Sequence, residues 1–231
     1  MLWNMGQDII IDAGHNGPPE TGNGGWTAGL IGARLETGGQ TSAEVTLRKP
    51  PPLEVPLHVV GTDEGIEVID PRGQVIAAAR RREADIPAVP GVPADEAREA
   101  TKRYPGHGHH HFPTCYVCGP ARQDGLRIFP GPVGEGRTAA IFHVPTEINM
   151  PMVWASLDCP GGWTVIESDR PWVLGRIAVI VDELPKPGDE CVVVGQVIDR
   201  AGRRAVVRTS LYAPLGGLLG RAEATWIKIP V

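Results

Sequence analysis

"SAEVTLRKPPPLEVPLHVVG" (residues 42–61) and "RIAVIVDELPKPGDECVVVG" (residues 176–195) align without a gap when the chain is slid by 134 positions. Five of the 20 positions are identical: Val45/Val179, Pro51/Pro185, Val59/Val193, Val60/Val194 and Gly61/Gly195. Both stretches read as a strand, a Pro-rich corner and a second strand, because runs rich in valine suit extended backbone and proline is kept out of central strands. Such a match suggests an internal duplication.

The surroundings repeat as well. A helix candidate precedes each stretch, "GGWTAGLIGARLE" (24–36) in the first half and "PMVWASLDCPGGWTVIE" (151–167) in the second. Before those helices come the β-like runs "DIIID" (8–12) and "RTAAIFHV" (137–144). Further strands follow each stretch: "GIEVID" and "QVIAAARR" in one half, "RRAVVRTSLYA" and "LLGRAEATWIKI" in the other. Each half therefore reads β-α-β-β-β-β. One helix among antiparallel strands must bury its apolar side on a sheet face, which makes the fold class α+β.

The segment 84–111, "ADIPAVPGVPADEAREATKRYPGHGHHH", has prolines, charges and histidines but no sustained apolar period beyond a short helix in "ADEAREATKRY". It is expected to be a linker between an N-terminal unit (1–83) and a C-terminal unit (112–231). The chain has 231 residues, 42% hydrophobic and 21% charged, with a formal net charge of −5. This balance speaks against a nucleic-acid footprint, which needs a basic face. No apolar run reaches 18 residues and "MLWNMGQD" lacks the features of a signal peptide, so no membrane segment and a cytoplasmic location are expected. The four cysteines, Cys115, Cys118, Cys159 and Cys191, are then expected as free thiols.

This order of elements, with "NGPPETGNGG" (16–25) opening the first helix, resembles the hotdog fold of acyl-CoA thioesterases and dehydratases, here in tandem as a double hotdog. The loop supplies Asn16 and the Gly24-Gly25 pair, while Asn23 stands where the family usually has histidine. "VWASLDC" (153–159) resembles the helix segment ending in the family's catalytic acid, which would be Asp158. Nine residues before Asp158 stands Asn149, with no Gly-Gly after it, and the N-terminal counterpart of Asp158 is Gly32, or Ile31 if the register slips by one. "CYVCGPARQDGLRIF" (115–129) resembles the lead-in to a first hotdog strand.

The resemblance implies an active site between two units, with the helix acid of one facing the helix N-terminus of the other. One complete composite site is expected, since each half carries only one of the two parts. It implies hydrolysis of an acyl-CoA or acyl-carrier thioester, and a homodimer. The Gly24 and Gly25 amides would cradle the oxyanion, as unpaired N–H groups at a positive dipole end suit developing negative charge. Asp158 would act as general base or as nucleophile, Asn16 or Asn23 would orient water or carbonyl, and His15 would be a second proton carrier. Trp26 and Trp154 are counted among the substrate-binding residues.

Plainer readings stand beside these. Asp158 fits a structural ion pair or amide bond, Gly24-Gly25 a turn with special dihedrals, and Asn23 a helix N-cap. A hotdog scaffold that binds an acyl-CoA or another hydrophobic ligand without turnover is the rival from a different class, and an enoyl-thioester hydratase ranks lower for want of histidine beside the acid. No cofactor and no metal are expected. Cys115-x-x-Cys118 has zinc-ligand spacing, but a second ligand pair would have to come from His107, His109, His110 and His111, and small thiols packed inside a turn are preferred. The Gly-rich loop lacks the spacing of a dinucleotide fingerprint.

Overall fold

The computed structural model describes residues 8–35, 41–83, 85–167 and 169–230. The N-terminal half contains helix α1 (Gly24–Gly32) and strands β1 (Thr41–Leu47), β2 (His58–Thr62), β3 (Gly65–Ile69) and β4 (Val75–Glu83). Helix α2 (Ala94–Lys102) lies in the connecting segment. The C-terminal half contains β5 (Gly131–Gly134), β6 (Arg137–His143), α3 (Met150–Ser156), α4 (Cys159–Gly162), β7 (Trp172–Val181), β8 (Glu190–Ala201), β9 (Arg204–Tyr212) and β10 (Leu218–Lys228).

The strands form one antiparallel sheet in the order β2-β3-β4-β1-β7-β10-β9-β8-β6-β5. The first stretches of the duplicated segments, β1 and β7, are the strands that meet at the seam, pairing Ala43 with Val179 and Val45 with Ile177. The 134-residue offset is thus a pseudo-twofold relation of structure. The run "DIIID" departs from expectation: it is reduced to one bridge, Ile9 with Leu57, where the C-terminal half has the full β6–β8 ladder. Pro52 and Pro56 bring no N–H, and Glu54 turns into the left-handed region at φ 58°, so the ladder cannot extend.

Helices α1 and α3 pack together on one face of the sheet. Apart from Gly24 and Leu30, every residue of α1 is buried, as an apolar sequence all round requires. Glycines at three- and four-residue spacing let the backbones approach. A Cβ on Gly25 would stand 2.9 Å from Ala155 Cα, one on Gly29 2.6 Å from Pro151 Cα, and one on Gly32 2.7 Å from the Trp154 ring. The second helix candidate is split into α3 and α4. Pro160 has no N–H to return to the carbonyl four residues back, and Leu157 and Asp158 occupy the break.

Residues 85–104 of the connecting segment pack along the opposite sheet face. Ile86 lies on Ala178 and Ile180 of β7, the Val89 amide donates to Ser210 Oγ at 2.9 Å, and Ala97 and Ala100 of α2 bury against Ala139, Ile141, Val192 and Val194. The expected linker is a strap that delivers residues 105–130 back to the helix side. Among the described residues no helix is long and apolar enough to cross a membrane.

Candidate functional site

The helix break and the start of α1 meet across the two halves. Asp158, 2% exposed, accepts a hydrogen bond from the Gly25 amide to Oδ2 at 2.8 Å. Its Oδ1 is buried without a partner. Burial pushes the carboxyl up to about 8; the Gly25 amide opposes this and the negative charge of Cys115 adds to it.

Asp158 lines a cavity of about 510 Å³. Trp163, Ile166, Trp172, Leu174 and Trp226 give it apolar walls, and Asn23 and Gly24 bring the start of α1 to it. The first amides of α1 are used unequally. Gly25 N–H is taken by Asp158, Trp26 N–H is capped by Asn23 Oδ1 at 2.9 Å, and Thr27 N–H bonds the Asn23 carbonyl. The Gly24 N–H has no protein partner among the described residues. Of the expected Gly24-Gly25 pair, one amide therefore holds the acid, and the other, on a residue that lines the cavity, has no partner among the described residues.

Asn23 is both N-cap and cavity residue, with Nδ2 3.7 Å from Cys115 Sγ. The structure gathers Asp158, Asn23, Gly24 and Gly25, and places the other expected residues elsewhere. Asn16 pins the opening loop, donating to the Gly17 carbonyl at 3.1 Å and accepting from Arg122 Nη1 at 2.8 Å. His15 stacks on Trp26 with centroids 3.7 Å apart, and burial lowers its pKa. Trp154 covers Gly32 at the other end of the helix pair. None of Asn16, His15, Trp26 and Trp154 lines the cavity.

Sequence reading packed Cys115 and Cys118 inside a turn and did not bring Cys159 to them. Cys115, Cys118 and Cys159 line the cavity, with sulfurs within 4.8 Å of one another. Hydrogen bonds from the Cys118 and Cys159 thiols hold Cys115 well below the ordinary thiol range; burial raises Cys118, and the bond to Cys115 raises Cys159. The adjacency of Cys159 to Asp158 was the available signal. Exposed Arg48 and Lys49, beside the Pro-rich corner, stand on the cavity's rim.

No family model and no curated protein matches the sequence. Solved structures do match its fold over nearly the whole chain. A protein of unknown function with hot dog fold from Alicyclobacillus acidocaldarius is 15% identical, with a TM-score of 0.61 over 98% of this chain and 95% of that one. The tesB protein of Mycobacterium avium subspecies paratuberculosis is 14% identical, with a TM-score of 0.61 over 97% and 92%. The acyl-CoA thioesterase II TesB2 of Mycobacterium marinum is 9% identical, with a TM-score of 0.55 over 90% of each chain. The chain has the double hotdog fold.

Proposed function

We propose that the chain hydrolyses an acyl thioester at one composite site between its halves. The observation that carries the reading is a buried carboxyl with one unpartnered oxygen, Asp158 Oδ1, sharing an apolar cavity with the unpartnered Gly24 amide. Similarity in fold to proteins named as thioesterases supports the class of substrate.

In this reading the acyl chain occupies the space between Trp163, Trp172 and Trp226, and the thioester oxygen accepts from Gly24 N–H. Asp158 takes a proton from water as its oxygen bonds to the carbonyl carbon; the C–S bond then breaks and the proton passes to the leaving sulfur. The Gly25 N–H fixes the carboxylate's orientation through Oδ2. Arg48 and Lys49 suit the phosphates of a CoA carrier at the rim.

The test is thiol release from a panel of short, long and aromatic acyl-CoAs. Asp158→Asn, which keeps the side-chain shape, is expected to lower kcat by about 10²–10⁴-fold, with acyl-CoA binding retained. Binding without release across the panel by the unaltered protein would replace hydrolysis with a ligand-binding role.

A further inference from the structure

Three sulfurs on one cavity wall invite the plain reading of small apolar side chains packed together, since free cysteine often behaves so. The donors around them point to something else. Cys118 Sγ accepts from Trp163 Nε1–H at 3.4 Å and lies 3.4 Å from His110 Nε2. Cys115 Sγ receives Asn23 Nδ2–H at 3.7 Å. Neutral thiols are weak acceptors, whereas N–H groups converging on sulfur stabilise thiolates. Sulfurs this close could ionise together only with a cation among them, because like charges at such spacing repel.

The backbone is shaped to match. In "TCYVCGP" (114–120) the Gly119 amide closes on the Cys115 carbonyl at 2.9 Å. A Cβ at Gly119 would lie 2.5 Å from Cys115 N and 2.6 Å from Pro113 O, so only glycine permits this tight knuckle. It sets Cys115 and Cys118 side by side, and Cys159 arrives from the start of α4, on a different part of the chain.

We infer that Cys115, Cys118 and Cys159 form a three-thiolate site for a soft divalent cation, zinc by preference, with the fourth position left to water from the cavity. Tetrahedral zinc with Zn–S bonds of about 2.3 Å holds its sulfurs about 3.8 Å apart, inside the 4.8 Å limit that already contains all three. His110 supports the site without ligating it. The Phe112 amide donates to His110 Nδ1 at 2.9 Å, which leaves the ring proton on Nε2 as a donor to Cys118. As the three Zn–S bonds form, those of the three cysteines that are still protonated lose their thiol protons to solvent. The metal would tie the knuckle to α4 beside Asp158 and so fix one wall of the cavity.

Reduced full-length protein tests this without reference to thioester turnover. One zinc per chain is expected by elemental analysis after exposure to micromolar zinc, and cobalt substitution should give sulfur-to-cobalt charge-transfer absorption with tetrahedral visible bands. Cys159→Ser should weaken cobalt binding by at least about 100-fold, and His110→Gln by about tenfold with the one-to-one ratio kept. Cys191→Ser, altering the buried cysteine of β8, and the paired change His109→Ala with His111→Ala should leave binding unchanged. Failure of the reduced unaltered protein to bind either metal overturns the inference. So does binding that survives Cys115→Ser and Cys159→Ser, or that disappears with His109 and His111.

Discussion

The two ends of the α1–α3 pair are made by the same pseudo-twofold and are put to opposite uses. Asn23 and Asn149 cap the two helices alike, accepting from the amides of Trp26 and Met152. At one end Gly25 meets Asp158, beside an open cavity. At the other end the position matching Asp158 is Gly32, and the indole of Trp154 lies on it, so that the space is filled with side chain. Duplication within one chain lets each end change without the other. One end can hold a buried, imperfectly satisfied acid because the rest of the helix interface is packed for stability.

Four substitutions break or sharpen this comparison. Trp154→Ala empties the sealed end and is expected to cost about 4 kcal/mol of folding stability, by the usual penalty for deleting a buried tryptophan. Urea unfolding measures it, and a cost below about 1 kcal/mol would mean that packing does not seal that end. Gly25→Ala attacks the open end. Its Cβ would stand 2.6 Å from Asp158 Cβ and 2.9 Å from Ala155 Cα, and a backbone contact of this kind cannot yield without parting the helices. About 2–3 kcal/mol of destabilisation is expected from such overpacking, together with loss of turnover. The smallest effect comes from the matched caps: Asn149→Ala and Asn23→Ala should each cost about 1 kcal/mol. Only Asn23→Ala should also impair thioester hydrolysis, because Asn23 alone of the two reaches the cavity; equal activities in the two variants would separate the cap from the site.

Much of the fold was legible because periodic valines and prolines mark the duplicated strands directly, and the 134-residue offset predicted which strands correspond. The bridge left from "DIIID" was not, because its loss depends on what Glu54 and two prolines do to a partner strand distant in sequence. Of the candidate residues, Asp158, Asn23 and the glycine pair were singled out through the family resemblance of their motifs, and the structure brings them together across the helix pair. Asn16 was singled out for its place in a Gly-rich loop, yet its hydrogen bonds hold that loop together and do not face the cavity. The approach of Cys159 to Cys115 and Cys118 depends on the strap carrying the knuckle around the sheet, and in the sequence only the adjacency of Cys159 to Asp158 hints at it.

The place of β10 in the sheet has a consequence for biosynthesis. This strand, Leu218–Lys228, lies in the interior, between β7 and β9, and is the last of the ten to leave the ribosome. Until it emerges, β7 and β9 each present a row of unpaired backbone groups, and the cavity lacks the wall that Trp226 provides. The C-terminal half therefore cannot close by stages as it is translated. A nascent chain halted before residue 218 would carry two open strand edges, the condition in which a partly made β protein depends most on chaperones.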